Sequence, residues 1–244
     1  MDMYKTAVMT TLVAVIMVVA LTFLPMIFGK ENSIETSAIV YSKKCVIIDA
    51  GHGGFDGGAV ADDGTLEKDL NLSIALKTAD ILRSAGFDVI LTRETDSGLE
   101  AAGDTTIRQK KITDMKTRLK IMEDNSEAIF VSVHLNKYTA ASPKGTQVFY
   151  APKAEGSYEL AENIQSSAIS MIQPENHRKV KKAGKDTMLL YRAPIPAVIV
   201  ECGFLSNPQE LERLKDEEYQ SEMAFSIAVG IIKYTECETY GTEN

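Results

Sequence analysis

Cysteine is scarce in this chain: Cys45, Cys202 and Cys237 are the whole supply, and no two of them form a C-x-x-C pair. That excludes a disulfide framework, and each reads as a single thiol packed in or near a strand. Dense Lys/Arg runs are also lacking, and the formal net charge is -8. Binding to a phosphate backbone depends on cationic neutralisation, so nucleic acid is excluded as a partner. Internal repeats and low-complexity tracts are absent, which excludes a solenoid. Histidine is as scarce as cysteine, with three copies. What is present is ample apolar material, 45% of 244 residues, enough for a real core.

The longest apolar run lies at the start. Residues 7–29 carry no charge, lie between Lys5 and Lys30, and at about 1.5 Å rise per residue are long enough to cross a membrane. We read residues 1–30 as an uncleaved anchor, a single transmembrane helix; a cleaved signal peptide, with a faint site at Thr36-Ser37-Ala38, is the competing reading and would make the protein secreted. No second span follows, so the remainder is expected on one side of the membrane. Residues 31–43 are short and polar, a tether.

Beyond the tether, β-branched runs alternate with amphipathic stretches. Strands are predicted at Cys45 to Asp49, Phe87 to Thr92, Ala128 to Val133, Gly145 to Tyr150 and Ala197 to Glu201, mostly continuous in apolar character and therefore buried on both faces. Leu66, Leu70, Ile74, Ile81 and Leu82 recur at helical spacing, and Gly86 stands where a left-handed C-terminal cap is expected. Further helices are predicted at Ile107 to Met122, Tyr158 to Ile172 and Tyr219 to Tyr234. The order implies an α/β fold, a single mostly parallel or mixed sheet flanked by helices, over residues 44–234, with 235–244 as a tail.

In open α/β sheets, chemistry collects where strands run out into loops. The first strand releases Asp49 and then His52 into VIIDAGHGGFDGG, a loop with five glycines. The third is predicted to end at His134 in SVHLN and the last at Glu201 in IVECGFLSN; Glu67 opens the first helix in TLEKDLNLS. The glycine loop does not suit a dinucleotide, because G-x-G-x-x-G starting at Gly51 and Gly53 would put Asp56 against the pyrophosphate, and no G-K-[ST] follows. A catalytic zinc site takes three N/O ligands and leaves one position open, a set that His52, Glu67 and His134 supply. His177, in the charged stretch QPENHRK, reads as solvent-facing. Asp49 reads either as an acceptor behind a metal ligand or as a loop cap.

The run IIDAGHGGFDGGA, EKDLNL, LTRETD, SVHLN and IVECGFLSN, in that order, resembles the zinc-dependent N-acetylmuramoyl-L-alanine amidases of the amidase 3 family, over about Lys44 to Tyr234. Ala50 departs from the proline that many members carry there. The resemblance implies zinc held by His52, Glu67 and His134, Glu201 as the acid-base carboxylate, peptidoglycan as substrate, and hydrolysis of the amide between N-acetylmuramic acid and L-alanine. The anchor, the compact length and IRQKKITDMKTRL (Ile107 to Leu119) look like the germination-specific subgroup, which removes stem peptides during muramic-δ-lactam formation in spore cortex. That implies a membrane-anchored enzyme facing the wall side. The alternatives are a vegetative cell-wall amidase, a zinc-stabilised module that binds peptidoglycan without cutting it, and a zinc carboxypeptidase acting within the stem. Glu201 opposes the binding module, which has no use for an acid-base group.

The glycines around His52 are expected to give substrate access at the level of the backbone. The stretch from Leu135 to Lys144 is too short for an occluding helix with its connections. Control is therefore expected from timing, from the anchor, or from an accessory protein that supports zinc loading.

Overall fold

The structure, a computed structural model, describes residues 44–241, with side chains as far as Glu236. The expected anchor and tether lie outside the described residues; among those described, no helix is long and apolar enough to cross a membrane.

Among the described residues six strands form one mixed sheet: β1 (Cys45–Ala50), β2 (Asp88–Leu91), β3 (Ile129–Asn136), β4 (Gln147–Tyr150), β5 (Lys181–Lys182) and β6 (Ala197–Phe204). The helices are α1 (Glu67–Ser84), α2 (Ile107–Glu123), α3 (Ser157–Ile172), α4 (Met188–Arg192), α5 (Pro208–Lys215) and α6 (Glu217–Gly241). The spatial order is β2-β1-β3-β6-β4-β5, and β4 runs antiparallel to β6 while every other pairing is parallel. β1, β3 and β6 lie in the middle, and their near-unbroken apolar sequences follow from having helices on both faces.

Alternation along these strands makes two cores. Val46, Ile48, Val131, Val133, Val198 and Val200 face α1, α3, α5 and α6. Ile47, Phe130, Phe149, Ala197 and Ile199 face α2 and α4. The second face has less helix over it, and there the polar chemistry gathers. Local signals set the helix ends. α1 stops in a Schellman arrangement: Gly86 has φ +90°, and the amides of Phe87 and Gly86 donate to the carbonyls of Leu82 and Arg83 at 3.0 Å each. α2 begins with a reciprocal capping box between Thr106 and Gln109.

Three expected boundaries need correction. β3 continues to Asn136 and β6 to Phe204, so His134 and Glu201 lie inside strands and not at their ends. They sit directly opposite each other, and the register then slips as Asn136 pairs with Phe204. One more residue on β6 than on β3 spans that interval, a bulge at the rim of the site. α6 also runs past Tyr234 into the stretch read as a tail, with Thr235 still buried. The short elements β5, α4 and α5 were not expected, although Asn207 capping α5 with Pro208 at its first turn is a readable start signal. The connection from Asn136 to Gln147 carries no helix.

Candidate metal centre and active site

His52, Glu67 and His134 come from a loop, a helix start and a strand, yet each offers a ligand atom within 4.8 Å of the others. Glu67 is the hub. Its Oε2 lies 3.2 Å from His52 Nε2, and its Oε1 lies 3.0 Å from His134 Nδ1. Backbone amides hold the carboxylate in place: Ala59 donates to Oε2 at 2.8 Å and Leu135 to Oε1 at 3.1 Å. Burial raises the Glu67 pKa, but the bonds to His134 and His52 outweigh it and hold the group well below the usual carboxylate range. The two imidazoles meet edge to face, with centroids 4.9 Å apart.

His52 has φ +63°, the one non-glycine residue in the left-handed region among the described residues, so the surrounding structure must enforce this backbone. Asp56 Oδ2 holds its Nδ1 at 3.1 Å, which leaves Nε2 aimed at Glu67. Burial lowers the His52 pKa, but Glu67 and Asp56 together raise it above its ordinary value.

Two arginines fix the loop from behind. Arg93 donates from Nε to the Ala50 carbonyl at 2.9 Å and from Nη2 to those of Gly51 at 3.0 Å and Lys68 at 2.8 Å. Arg118 donates from Nη2 to the His52 carbonyl at 2.9 Å and pairs with Asp49. Asp49 is fully buried, and its oxygens are taken by Arg118, Thr92 and Ser132. It acts on the site through Arg118, and of its two sequence readings neither the imidazole acceptor nor the loop cap describes it. Lys68 joins Asp96 at 2.6 Å, and the Gly54 amide donates to the same Asp96 at 2.8 Å. EKDLNL and LTRETD are thus two sides of one clamp on the histidine loop.

The glycines have a different reason from the one expected. A Cβ at Gly51 would collide with the His134 ring, 2.2 Å from Nε2 and 2.3 Å from Cε1, and one at Gly58 would lie 2.6 Å from Glu67 Oε2 and 2.7 Å from His52 Cδ2. The space is filled by the protein's own site residues. Gly51 does not have a positive φ, so alanine there is allowed by the backbone and tests packing alone. Gly51→Ala is expected to displace His134 and weaken divalent-cation binding by roughly 10- to 100-fold, the scale of a disturbed ligand support. Competition with a chromogenic chelator measures it; parent-like affinity would show that the ring is not confined.

Glu201 stands one strand over from His134. Its Oε2 is buried with no hydrogen-bond partner. Burial, and after it the charge on Glu67, push its pKa up to about 7 against the opposing pull of the two histidines. A carboxyl group that is desolvated, unpartnered and poised near neutrality beside a donor set is equipped for proton transfer. His177 is exposed and joins nothing here. A cleft of about 540 Å³ opens beside His52 and His134, between α2 and α4, with Ile199 and Leu189 among its apolar lining and Lys111 and Thr187 among its polar residues.

Two nitrogen donors and one carboxylate oxygen suit a borderline divalent ion, and among the described residues no thiol belongs to the set, so the residues fit a metal centre of hydrolytic type. An α/β sheet carrying such a donor set, with a separate buried carboxyl group on the next strand, is the arrangement expected of a metal-site hydrolase. The chain belongs to the N-acetylmuramoyl-L-alanine amidase family, whose model matches residues 46–233, and it is an enzyme of that class. It is 33% identical over 207 residues to the germination-specific N-acetylmuramoyl-L-alanine amidase of Bacillus subtilis, covering 85% of this chain and 86% of that protein. Among solved structures it is similar to the CwlD amidase of Clostridioides difficile in complex with the GerS lipoprotein, with TM-score 0.77 and 42% identity over 80% of this chain and 99% of that one. It is also similar to an N-acetylmuramoyl-L-alanine amidase of Clostridium difficile 630, with TM-score 0.68 and 31% identity over 79% and 97% of the two chains.

Proposed function

We propose that this amidase is zinc-dependent, that His52, Glu67 and His134 hold the ion, that Glu201 moves the proton, and that its task is to strip stem peptides from spore cortex on the way to muramic-δ-lactam. The observation that carries the catalytic part is the unpartnered, buried Glu201 Oε2 paired in register with His134. The cortex role rests on the likeness to the germination-specific Bacillus enzyme.

When bound, zinc supplies Lewis acidity and lowers the pKa of the attacking water. The chain's own residues do the rest. Glu201 accepts a proton from the water at Oε2 and returns it to the departing L-alanine nitrogen, so that the amine leaves neutral. Asp56 keeps His52 in one tautomer and one orientation by accepting from Nδ1, while Arg93 and Arg118 stop its loop from relaxing. Because these supports are hydrogen-bonded before substrate arrives, little reorganisation accompanies the reaction.

Residues 1–30 anchor the enzyme, 31–43 tether it, and the catalytic domain from residue 44 to the closing helix works outside the cytoplasm on the wall side. The CwlD amidase was solved with a lipoprotein, and by analogy this chain has an accessory protein that supports its metal loading or activity. The test uses the full-length protein on purified cortex and on vegetative peptidoglycan, with mass spectrometry of the products. Peptides beginning with L-alanine, released faster from cortex, are expected; preference for the vegetative wall would overturn the spore role and leave a general wall amidase.

A further inference from the structure

Although the chain is acidic overall, five of the eight residues from Arg178 to Lys185 are Lys or Arg, a local concentration that the net charge conceals and that corrects the reading of no dense cationic run. This segment forms the β5 edge of the sheet and the approach to it. Lys179, Lys181, Lys182 and Lys185 are exposed, and the ion pairs among the described residues leave them without acidic partners.

Its position relative to the catalytic carboxylate gives it meaning. Gln147 of β4 is directly opposite Glu201 of β6. On its other side, Gln147 Nε2 donates to the Lys179 carbonyl at 2.9 Å, and its Oε1 accepts from Arg178 Nη1 at 3.1 Å. Lys181 is the register partner of Phe149, and its ammonium lies 5.6 Å from that ring's centroid. Phe149 packs on the second core, the face that bears the site. Across that face the order is therefore His52 and His134, then Glu201, then Gln147, then the lysines.

From this order, and resting on the proposed role of Glu201, we propose that the stem peptide lies across β4 toward β5, and that Lys179 and Lys181 bind its carboxylates and so set the preference for an acidic stem. Glu201 must reach the leaving nitrogen, so the chain beyond that nitrogen continues on the side of Glu201 away from His134. Two strand spacings are about 10 Å, and an extended peptide covers about 3.3 to 3.6 Å per residue, so its second and third residues fall over β4 and β5. The stem carries its free carboxylates at those residues and at its end, whereas the muramoyl side of the bond is uncharged. An exposed pair of ammonium groups is matched to the first and has no charge to meet on the second.

The test compares two synthetic substrates, N-acetylmuramoyl tripeptides whose second residue is D-glutamate with a free α-carboxylate or D-isoglutamine with that carboxylate amidated. The full-length parent enzyme is expected to show a KM about 10-fold lower for the free carboxylate, as two exposed charge contacts allow, with that advantage shrinking at high salt. Lys179→Glu/Lys181→Glu is expected to lose or reverse the preference while kcat stays within about twofold; Lys179→Ala/Lys181→Ala should lose most of it. Matching circular dichroism and metal content guard against a folding defect, and the alanine pair keeps the test decisive if the glutamate pair misfolds. A parent that ignores amidation, or an alanine pair that keeps the parent's preference, overturns the proposal. Failure of the parent to cut either substrate would instead overturn the reading of the site beneath it.

Discussion

Replacing Glu201 by glutamine is expected to lower hydrolysis by on the order of 10² to 10⁴, the contribution of a placed acid-base group, with zinc content and thermal stability close to the parent's. The side chain keeps its volume, and the buried oxygen it alters has no partner to lose. What disappears is the ability to take a proton at all. A group whose pKa lies at about 7 exchanges protons readily at neutral pH, and the amide that replaces it does not. Near-parental hydrolysis by this variant would remove Glu201 from the mechanism and restore the reading of a module that binds the wall without cutting it.

The second large effect is expected from the ligands. His52→Ala, Glu67→Ala and His134→Ala should each lose zinc under mild chelation, and activity should fall to background in all three. Glu67→Ala is expected to be the most damaging to structure as well. It strips the partners from two imidazoles and from the amides of Ala59 and Leu135 in one step. Asp56→Asn, which weakens the support on the far side of His52 and also the contacts to Lys111 and the Gly58 amide, should retain zinc with affinity weaker by roughly 10- to 100-fold. Elemental analysis after dialysis against a chelator reads all four. Full occupancy in any of the three alanine variants would show that residue is no ligand.

The sheet was legible because its central strands are almost purely apolar, and a β-branched run buried on both faces leaves little else to be. The three residues that meet as a donor set were legible for a related reason. Histidine is rare in this chain; His52 stands between two glycines and His134 two residues before Asn136, sequence that reads as a strand running out into a loop, where a core role is implausible. The supports were not. Arg93 and Arg118 act by donating to backbone carbonyls of the His52 loop, and which carbonyls point at a distant guanidinium depends on the whole path of the chain. LTRETD was recognisable as a motif without its purpose being visible. The glycines misled for the same reason: a sequence shows that a side chain is missing but not what fills the gap, and here His134, Glu67 and His52 themselves fill it. The ends of β3 and β6 were read short because a polar residue interrupts each apolar run. The structure keeps both in the ladder by pairing one with the other.

X-ray diffraction from zinc-loaded crystals, with anomalous maps on both sides of the zinc absorption edge, tests the central claim most directly. The account expects one strong peak bounded by His52 Nε2, Glu67 and His134 Nδ1, with Glu201 free of the ion and facing the open position. A principal peak elsewhere in the molecule, or Glu201 bound to the zinc in place of one of those three, would contradict it.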